Sequence, residues 1–380
     1  MTITKDSDNI TMPASSVGSS HLLVAIDFGG SLTKVVASLD GKKIDAYKLL
    51  TMTPHCVEVT DAQALKSEPD FDEKSVWLKI GKSSYAVGNF AQAHYSNLLD
   101  VQTAKTDTAV QKTCAVIAVL AQVFGLPVSF NVTIACVLPP GELSAKEDYK
   151  TDLVSALKDL TVPSGKLKPR LLKVNTLAEG QGVLNYYTAK YGLGDKVVVT
   201  IMSGFRNTSL LLAHQGQAGG RKTSGLGFYR LLQEIEGGYD PIDLIAPVSE
   251  YRATNDPQVL RHLLKSTKNP DRELERLVKA IEAADAKFVG DLSSWIKSNM
   301  PPQVDAIVGC GGTFDYIEKD LNSFLIARIK TGDKNLYICK GESLPNAADN
   351  IEMRSRFADI YYVWHSLHRK HQAQLKESVN

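Results

Sequence analysis

The sequence predicts an α/β protein built as two halves, and three observations predict it. Its 380 residues exceed the size at which one hydrophobic core usually stops growing, so two domains are expected. A strand, a glycine-bearing turn and a second strand follow one another in "HLLVAIDFGGSLTKVVASL" (21–39), and again in "VVVTIMSGFRNTSLLLA" (197–213). Between and after these hairpins the periodicity alternates between strands and helices. Near the end, "VDAIVGCGGT" (304–313) sets a buried strand before another glycine turn. The same order of elements thus occurs twice, although the residues repeat only loosely.

The elements follow in order. "MTITKDSDNITMPASSVGSS" (1–20) is polar, lacks an apolar segment and reads as a disordered leader rather than a signal peptide. Short strands are expected at 43–50, 75–80 and 84–88. A helix is expected from Asp107, as its N-cap, to Gly125, and its apolar run "CAVIAVLAQVFGL" (114–126) is too short to span a bilayer. "NVTIACVLPP" (131–140) reads as a buried strand stopped by two prolines, and a helix follows over 144–159. "RLLKVNTLAEGQGVLNYYTAKYG" (170–192) reads as strand then helix, and helices extend through 224–297. In "FADIYYVWHSLHRKHQ", Phe357, Ile360, Tyr361, Trp364 and Leu367 share a helical face, which predicts a terminal helix packing back on the first half. The basic tip of Arg369, Lys370 and His371 reads as a solvated end, with DNA contact as the alternative.

Composition narrows the function classes. A content of 43% hydrophobic and 22% charged residues is ordinary for a globular protein, and a formal net charge of +1 gives no global field for nucleic acid or membrane. Cys56, Cys114, Cys136, Cys310 and Cys339 lack metal-ligand spacing, which argues against structural zinc and for reduced thiols in a cytoplasm.

The chemistry is expected in the turns. "DFGGSLTK" sets Asp27 at the end of a buried strand, then Gly29, Gly30 and Ser31, then Thr33 and Lys34. Glycines let a backbone approach an anion, successive N–H groups cradle phosphate oxygens, and a lysine neutralises them. Asp27 is the candidate to hold Mg²⁺ through water. An ordinary hairpin with a capping aspartate has the same pattern. The second hairpin has phosphate-loop shape in Gly204, Phe205, Arg206, Asn207 and Thr208 but carries no acidic residue. Gly309, Gly311, Gly312 and Thr313 form a turn against which a base or phosphate could lie.

In this order and at these separations the motifs resemble the actin-like ATPase superfamily, and within it look closest to ParM-like bacterial actins that segregate plasmids. "DFGGSLTK" resembles the first phosphate loop, "SGFRNT" the second and "IVGCGG" the adenosine motif. "LPPGEL", "NTLAEGQGVL" and "RSRFADIYY" resemble the segment after the third core strand and the two interdomain connections. The resemblance spans about residues 22–368. It implies a two-domain, ribonuclease H-like fold with a nucleotide, ATP or GTP, and Mg²⁺ in the interdomain cleft. The domains it implies are 21–180 with 350–380, and 181–349.

Residue by residue, the resemblance puts Met202 at the position of the second loop's first aspartate and Ser209 at that of its second. A slip of one residue puts Ser203 there instead. A thioether is a poor ligand for a hard cation, so the departure sets hydrolysis, rather than binding, in question. Glu179, on the first connection, is the implied residue for orienting water, with Gln181 as the lesser candidate; a solvated helix-start residue is the alternative. The residues of "GGRKTSGLGFYRLLQEIE" read first as a solvated basic turn, and the resemblance implies that Gly225 and Gly227 line the pocket and that Arg221 or Lys222 flanks it. The implied function is a filament of identical subunits whose cargo is a plasmid, held through a DNA-binding adaptor. A small-molecule kinase of the sugar or acetate type is the alternative; such a kinase needs a catalytic base, and the second hairpin of this sequence has no aspartate to serve.

Overall fold

The computed structural model describes residues 20–40, 46–60, 72–95, 103–265, 268–342, 344 and 353–379. The expected leader lies outside these residues except for Ser20.

Fifteen strands are described: β1 (His21–Phe28), β2 (Thr33–Leu39), β3 (Lys48–Met52), β4 (Cys56–Val59), β5 (Ser75–Ile80), β6 (Ser83–Gly88), β7 (Asn131–Leu138), β8 (Leu160–Val162), β9 (Gly165–Leu167), β10 (Arg170–Ala178), β11 (Val197–Ser203), β12 (Thr208–His214), β13 (Gln217–Ser224), β14 (Ala306–Cys310) and β15 (Leu336–Ile338). The helices are α1 (Asn89–His94), α2 (Ala109–Val123), α3 (Lys146–Lys158), α4 (Gln181–Lys190), α5 (Phe228–Gln233), α6 (Pro241–Thr254), α7 (Pro270–Asn299), α8 (Gly312–Ile326) and α9 (Arg354–Val379).

Two five-stranded sheets repeat one topology. The first has the order β10-β7-β1-β2-β3 and the second β13-β12-β11-β14-β15. In each, three antiparallel strands (β1-β2-β3, β11-β12-β13) are followed by two parallel ones (β7 and β10, β14 and β15). The near-continuous apolar runs of β1, β7 and β11 reflect burial on both faces of their sheets. Because both sheets have the same strand directions, their first hairpin turns stand at equivalent places. Ligands in such sheets bind outside the carboxyl ends of the parallel strands.

A third sheet, β4-β6-β5-β8-β9, covers α2 from the side away from the first sheet. Cys114 to Ala121 of α2 are therefore buried all round, which is why this helix reads as apolar on every face. The sequence predicts β5 and β6 but not this sheet, because its partner strands β8 and β9 are three residues each and lie about eighty positions beyond β5.

The third core layer lies between the two main sheets. There Leu23 and Ala25 of β1, Val198 and Met202 of β11 and Val308 of β14 close on α4 and α9. Phe357, Ile360, Tyr361, Trp364 and Leu367 are all buried, as expected, but so are Tyr362 and Val363, because α9 is covered from both halves. Tyr186 stacks on Tyr362 with ring centroids 3.9 Å apart. Of the basic tip, Arg369 and Lys370 are exposed, whereas His371 packs edge-on to His21 and lies 3.1 Å from the Asp40 carboxylate.

Several boundaries differ from expectation. Lys105–Thr108 is a 3₁₀ turn that places Asp107 ahead of α2, whose N-cap position is Thr108. The strand expected at 43–50 is β3, and residues 41–45 lie outside the described set. The basic stretch expected as a turn is β13, an edge strand whose first six residues are exposed. A polar, glycine-rich edge has no apolar alternation to betray it.

Candidate functional site

The two equivalent hairpins have four-residue turns, Gly29–Leu32 and Gly204–Asn207. Phe28 pairs with Thr33 as Ser203 pairs with Thr208, and Asp27 pairs with Lys34 as Met202 pairs with Ser209. The register therefore decides between the two alignments: Met202, not Ser203, stands where the first hairpin has its aspartate. Ser203 is fully buried and its hydroxyl is 2.7 Å from that of Thr208, while Met202 lines the cleft. The Asp–Lys pair of one hairpin is a Met–Ser pair in the other.

These turns face one another across a cavity of about 500 Å³. A Cβ on Gly30 would sit 3.4 Å from the Arg206 side chain, so the two loops are in contact. The third glycine turn joins them where Thr313 donates to the Gly204 carbonyl at 2.7 Å. Gly311 has φ of +99°, and any Cβ there would collide with the Ser203 carbonyl, so this turn requires glycine. Asp27, Gly29, Gly30, Ser31, Lys34, Glu179, Gly204, Phe205, Arg206, Asn207, Gly311, Gly312 and Thr313 line the cavity.

Other sequence candidates lie elsewhere. Thr33 and Thr208 are buried in their strands, and the Thr208 hydroxyl donates to the Leu226 carbonyl. Gly309 abuts the Phe314 ring inside the second core. Gly225 does not line the cavity, and Gly227 packs beneath the second loop, where a Cβ would collide with Arg206 and Asn207 backbone. Gln181 bonds Asn185 along α4, away from the cleft. Arg221 and Lys222 are exposed on β13.

The cleft's electrostatics centre on a residue that the sequence reasoning missed. Lys105, 7% exposed, reaches from the 3₁₀ turn before α2 to donate to Glu179 Oε1, and its ammonium is 3.5 Å from Asp27 Oδ1. Lys34 pairs with Asp27 Oδ2 and donates to the Arg356 carbonyl at 3.1 Å. Burial pushes the Asp27 carboxyl up, but Lys34 and then Lys105 outweigh it and hold Asp27 below its usual value. Burial raises Glu179 above the usual range, against the pull of Lys105. Burial disfavours the Lys105 ammonium, yet Glu179 and Asp27 more than compensate, so it stays charged.

Arg356 of α9 donates to Ser31 Oγ at 2.6 Å and so ties the first loop to the terminal helix. Arg206 spans the cleft to the Glu142 carboxylate and the Thr103 carbonyl. Behind Glu179, Asp359 accepts from the Gly180 and Val183 N–H groups at 2.8 and 3.1 Å, and burial raises its carboxyl to about 6. The far end of the cavity is lined by Phe228, Ile245, Ala253 and Tyr316, an apolar slot beside Arg252 and Lys340. In all, seven Lys or Arg side chains line the cavity against four carboxylates, so the chemistry is that of an anion site with an apolar end. The signal for Lys105 was a lysine just ahead of a helix whose Cys114–Ala121 run is apolar throughout. Lys105 and its partners Asp27 and Glu179 are 74 to 78 residues apart, too far for spacing to connect them.

The resemblance implies Mg²⁺ on Asp27, and the donor set does not suit it. Both Asp27 oxygens face ammonium groups, Glu179 is held by Lys105, and the facing position of the second hairpin offers the Met202 thioether. Hard cations need oxygen ligands that are not already neutralised.

The architecture is that of the actin-like fold: two α/β halves with a shared strand order around one cleft. Solved structures agree. Over 94% of this chain and 100% of theirs, the actin-like protein Alp7A matches at TM-score 0.65 and 12% identity. The Alp12 filament structure matches at 0.54 and 17% identity over 92% and 99%, and ParM of Bacillus thuringiensis with ATP at 0.54 and 13% over 95% and 100%. At these identities the likeness is one of fold. No protein-family model matches the sequence, and no curated protein matches it. Among the described residues no helix is long and apolar enough to cross a membrane.

Proposed function

We propose that the chain is a nucleotide-binding, filament-forming actin-like protein that holds a purine triphosphate, ATP or GTP, in the cleft. In this reading Gly29–Ser31 and Phe205–Asn207 present backbone N–H groups to the phosphates, the Gly204 N–H closing its own turn on the Asn207 carbonyl, and Lys34 and Arg206 neutralise them. Gly311–Thr313 approach the ribose and base, and the slot of Phe228, Ile245 and Tyr316 takes the base. The observation that carries the reading is the contact of the three glycine turns, two from equivalent hairpins, on one cationic cavity.

Hydrolysis is slow in this proposal. Phosphoryl transfer needs the attacking water and the departing charge positioned, and Met202 positions neither. Glu179, the remaining candidate for the water, is engaged by Lys105. Assembly is head-to-tail, so the interface is heterologous and growth does not close. The Alp12 neighbour, itself a filament, supports self-assembly. The role we propose is cytoplasmic segregation of plasmid DNA, reached through an adaptor rather than by direct contact.

Ultracentrifugation with and without ATP or GTP tests the function. The chain is expected to pellet when nucleotide is added and to stay in the supernatant at low concentration without it. A chain that never pellets, but transfers phosphate to a sugar or acetate, is a kinase.

A further inference from the structure

We propose that the cleft binds a nucleoside triphosphate as the free polyanion, without a divalent cation, the Lys105 ammonium supplying the central positive charge. This rests on the nucleotide reading above and specifies how that site meets the phosphate charge.

A triphosphate entering a partly enclosed cleft must have its charge compensated, either by a metal that enters with it or by groups already there. Three observations favour the second route. The two carboxylates nearest the loops are already neutralised, Asp27 by Lys34 with Lys105 close by, and Glu179 by Lys105. A divalent cation between the loops would meet two ammonium groups that repel it, and would have to compete with them for both carboxylates. The matching position of the second hairpin, fixed by the register of Met202 with Ser209, supplies sulfur instead of oxygen.

The lysines, by contrast, have donors to spare. An ammonium carries three N–H groups. Lys34 gives one to Asp27 and one to the Arg356 carbonyl; Lys105 gives one to Glu179 and stands 3.5 Å from Asp27 Oδ1, which has no hydrogen-bond partner among the described residues. Each keeps at least one for a phosphate oxygen. Lys105 cannot swing out to solvent, because it is buried and held by two carboxylates. It is a fixed charge at the floor of the cleft. Arg206 and Arg356 add guanidinium groups beside the loops, and each faces one of the glycine turns.

Equilibrium titration of the full chain with ATP, and in parallel GTP, in excess EDTA and in saturating Mg²⁺ tests this. The Kd in EDTA is expected to lie within about threefold of that in Mg²⁺, or below it. Binding that weakens by about tenfold or more on chelation overturns the inference and leaves the nucleotide reading standing. No saturable binding of either nucleotide in either buffer overturns both. In Lys105→Gln, with folding checked by circular dichroism, affinity in EDTA is expected to fall by about tenfold or more. A folded Lys105→Gln protein with wild-type affinity in EDTA would remove Lys105 from the proposal. The wild-type titration stands without that variant.

Discussion

Lys105→Ala is expected to destabilise the protein by about 3–5 kcal/mol, because it leaves Asp27 and Glu179 as uncompensated buried carboxylates. The cost comes from the partners left behind rather than from the net worth of the ion pair, which desolvation largely offsets. This gives the loss a recognisable pH dependence. Without the ammonium, one of the two carboxyls takes up a proton, and Glu179, already raised by burial, is the one expected to do so. A folded-state pKa above the unfolded value contributes stability that is present at low pH and lost as pH rises through the raised value. The deficit of Lys105→Ala against wild type is therefore expected to be smaller at about pH 5 than at about pH 8. Denaturant midpoints of both proteins at the two pH values measure it. A deficit that does not change with pH would assign the loss to packing alone.

The second large effect is expected at Met202. Met202→Asp restores an oxygen ligand where the second hairpin faces the phosphates, and phosphate release from ATP is expected to rise by about 10²- to 10³-fold, the usual worth of one positioned group. The new carboxylate would set an oxygen acceptor where the attacking water must be oriented, which the wild-type thioether does not offer. Met202 is 8% exposed, so the charge enters a mostly buried position and some stability is expected to be lost. Phosphate release assays on both proteins, with metal and with chelator, check the prediction. Rapid release by wild type would contradict the account of the second loop.

Much of this site was legible before the structure, because it lies in local patterns. Strand, four-residue turn and strand are contiguous in the chain, so Asp27, Gly30, Gly204 and Arg206 announce themselves, and Gly311 follows a short apolar strand. Glu179 was reachable only through the resemblance of "NTLAEGQGVL" to the first interdomain connection. What could not be read is what three-dimensional pairing decides. The strand register that sets Met202 opposite Ser209, and so excludes Ser203, is a property of the sheet. Lys105 on one side, and Arg356 and Asp359 of α9 on the other, come from segments about 250 residues apart, and each is explained only by the buried partner it meets. The third sheet escaped because its shortest strands carry three residues, and β13 because an exposed edge has no buried face to mark it. Thr33, Thr208 and Gly309 lie within the motifs but serve the strands beneath the cleft rather than the cleft itself.

The central claim is that nucleotide lies in the cleft where the three glycine turns meet. It is tested most directly by titrating ATP or GTP against wild type and against Gly312→Phe. A Cβ at Gly312 faces the Arg356 side chain at 3.6 Å, so the added ring would stand in the cavity without entering either core. Wild type is expected to bind one nucleotide per chain, and Gly312→Phe to bind at least about tenfold more weakly. Undiminished binding by a folded Gly312→Phe protein, or no saturable binding by wild type, would contradict the claim.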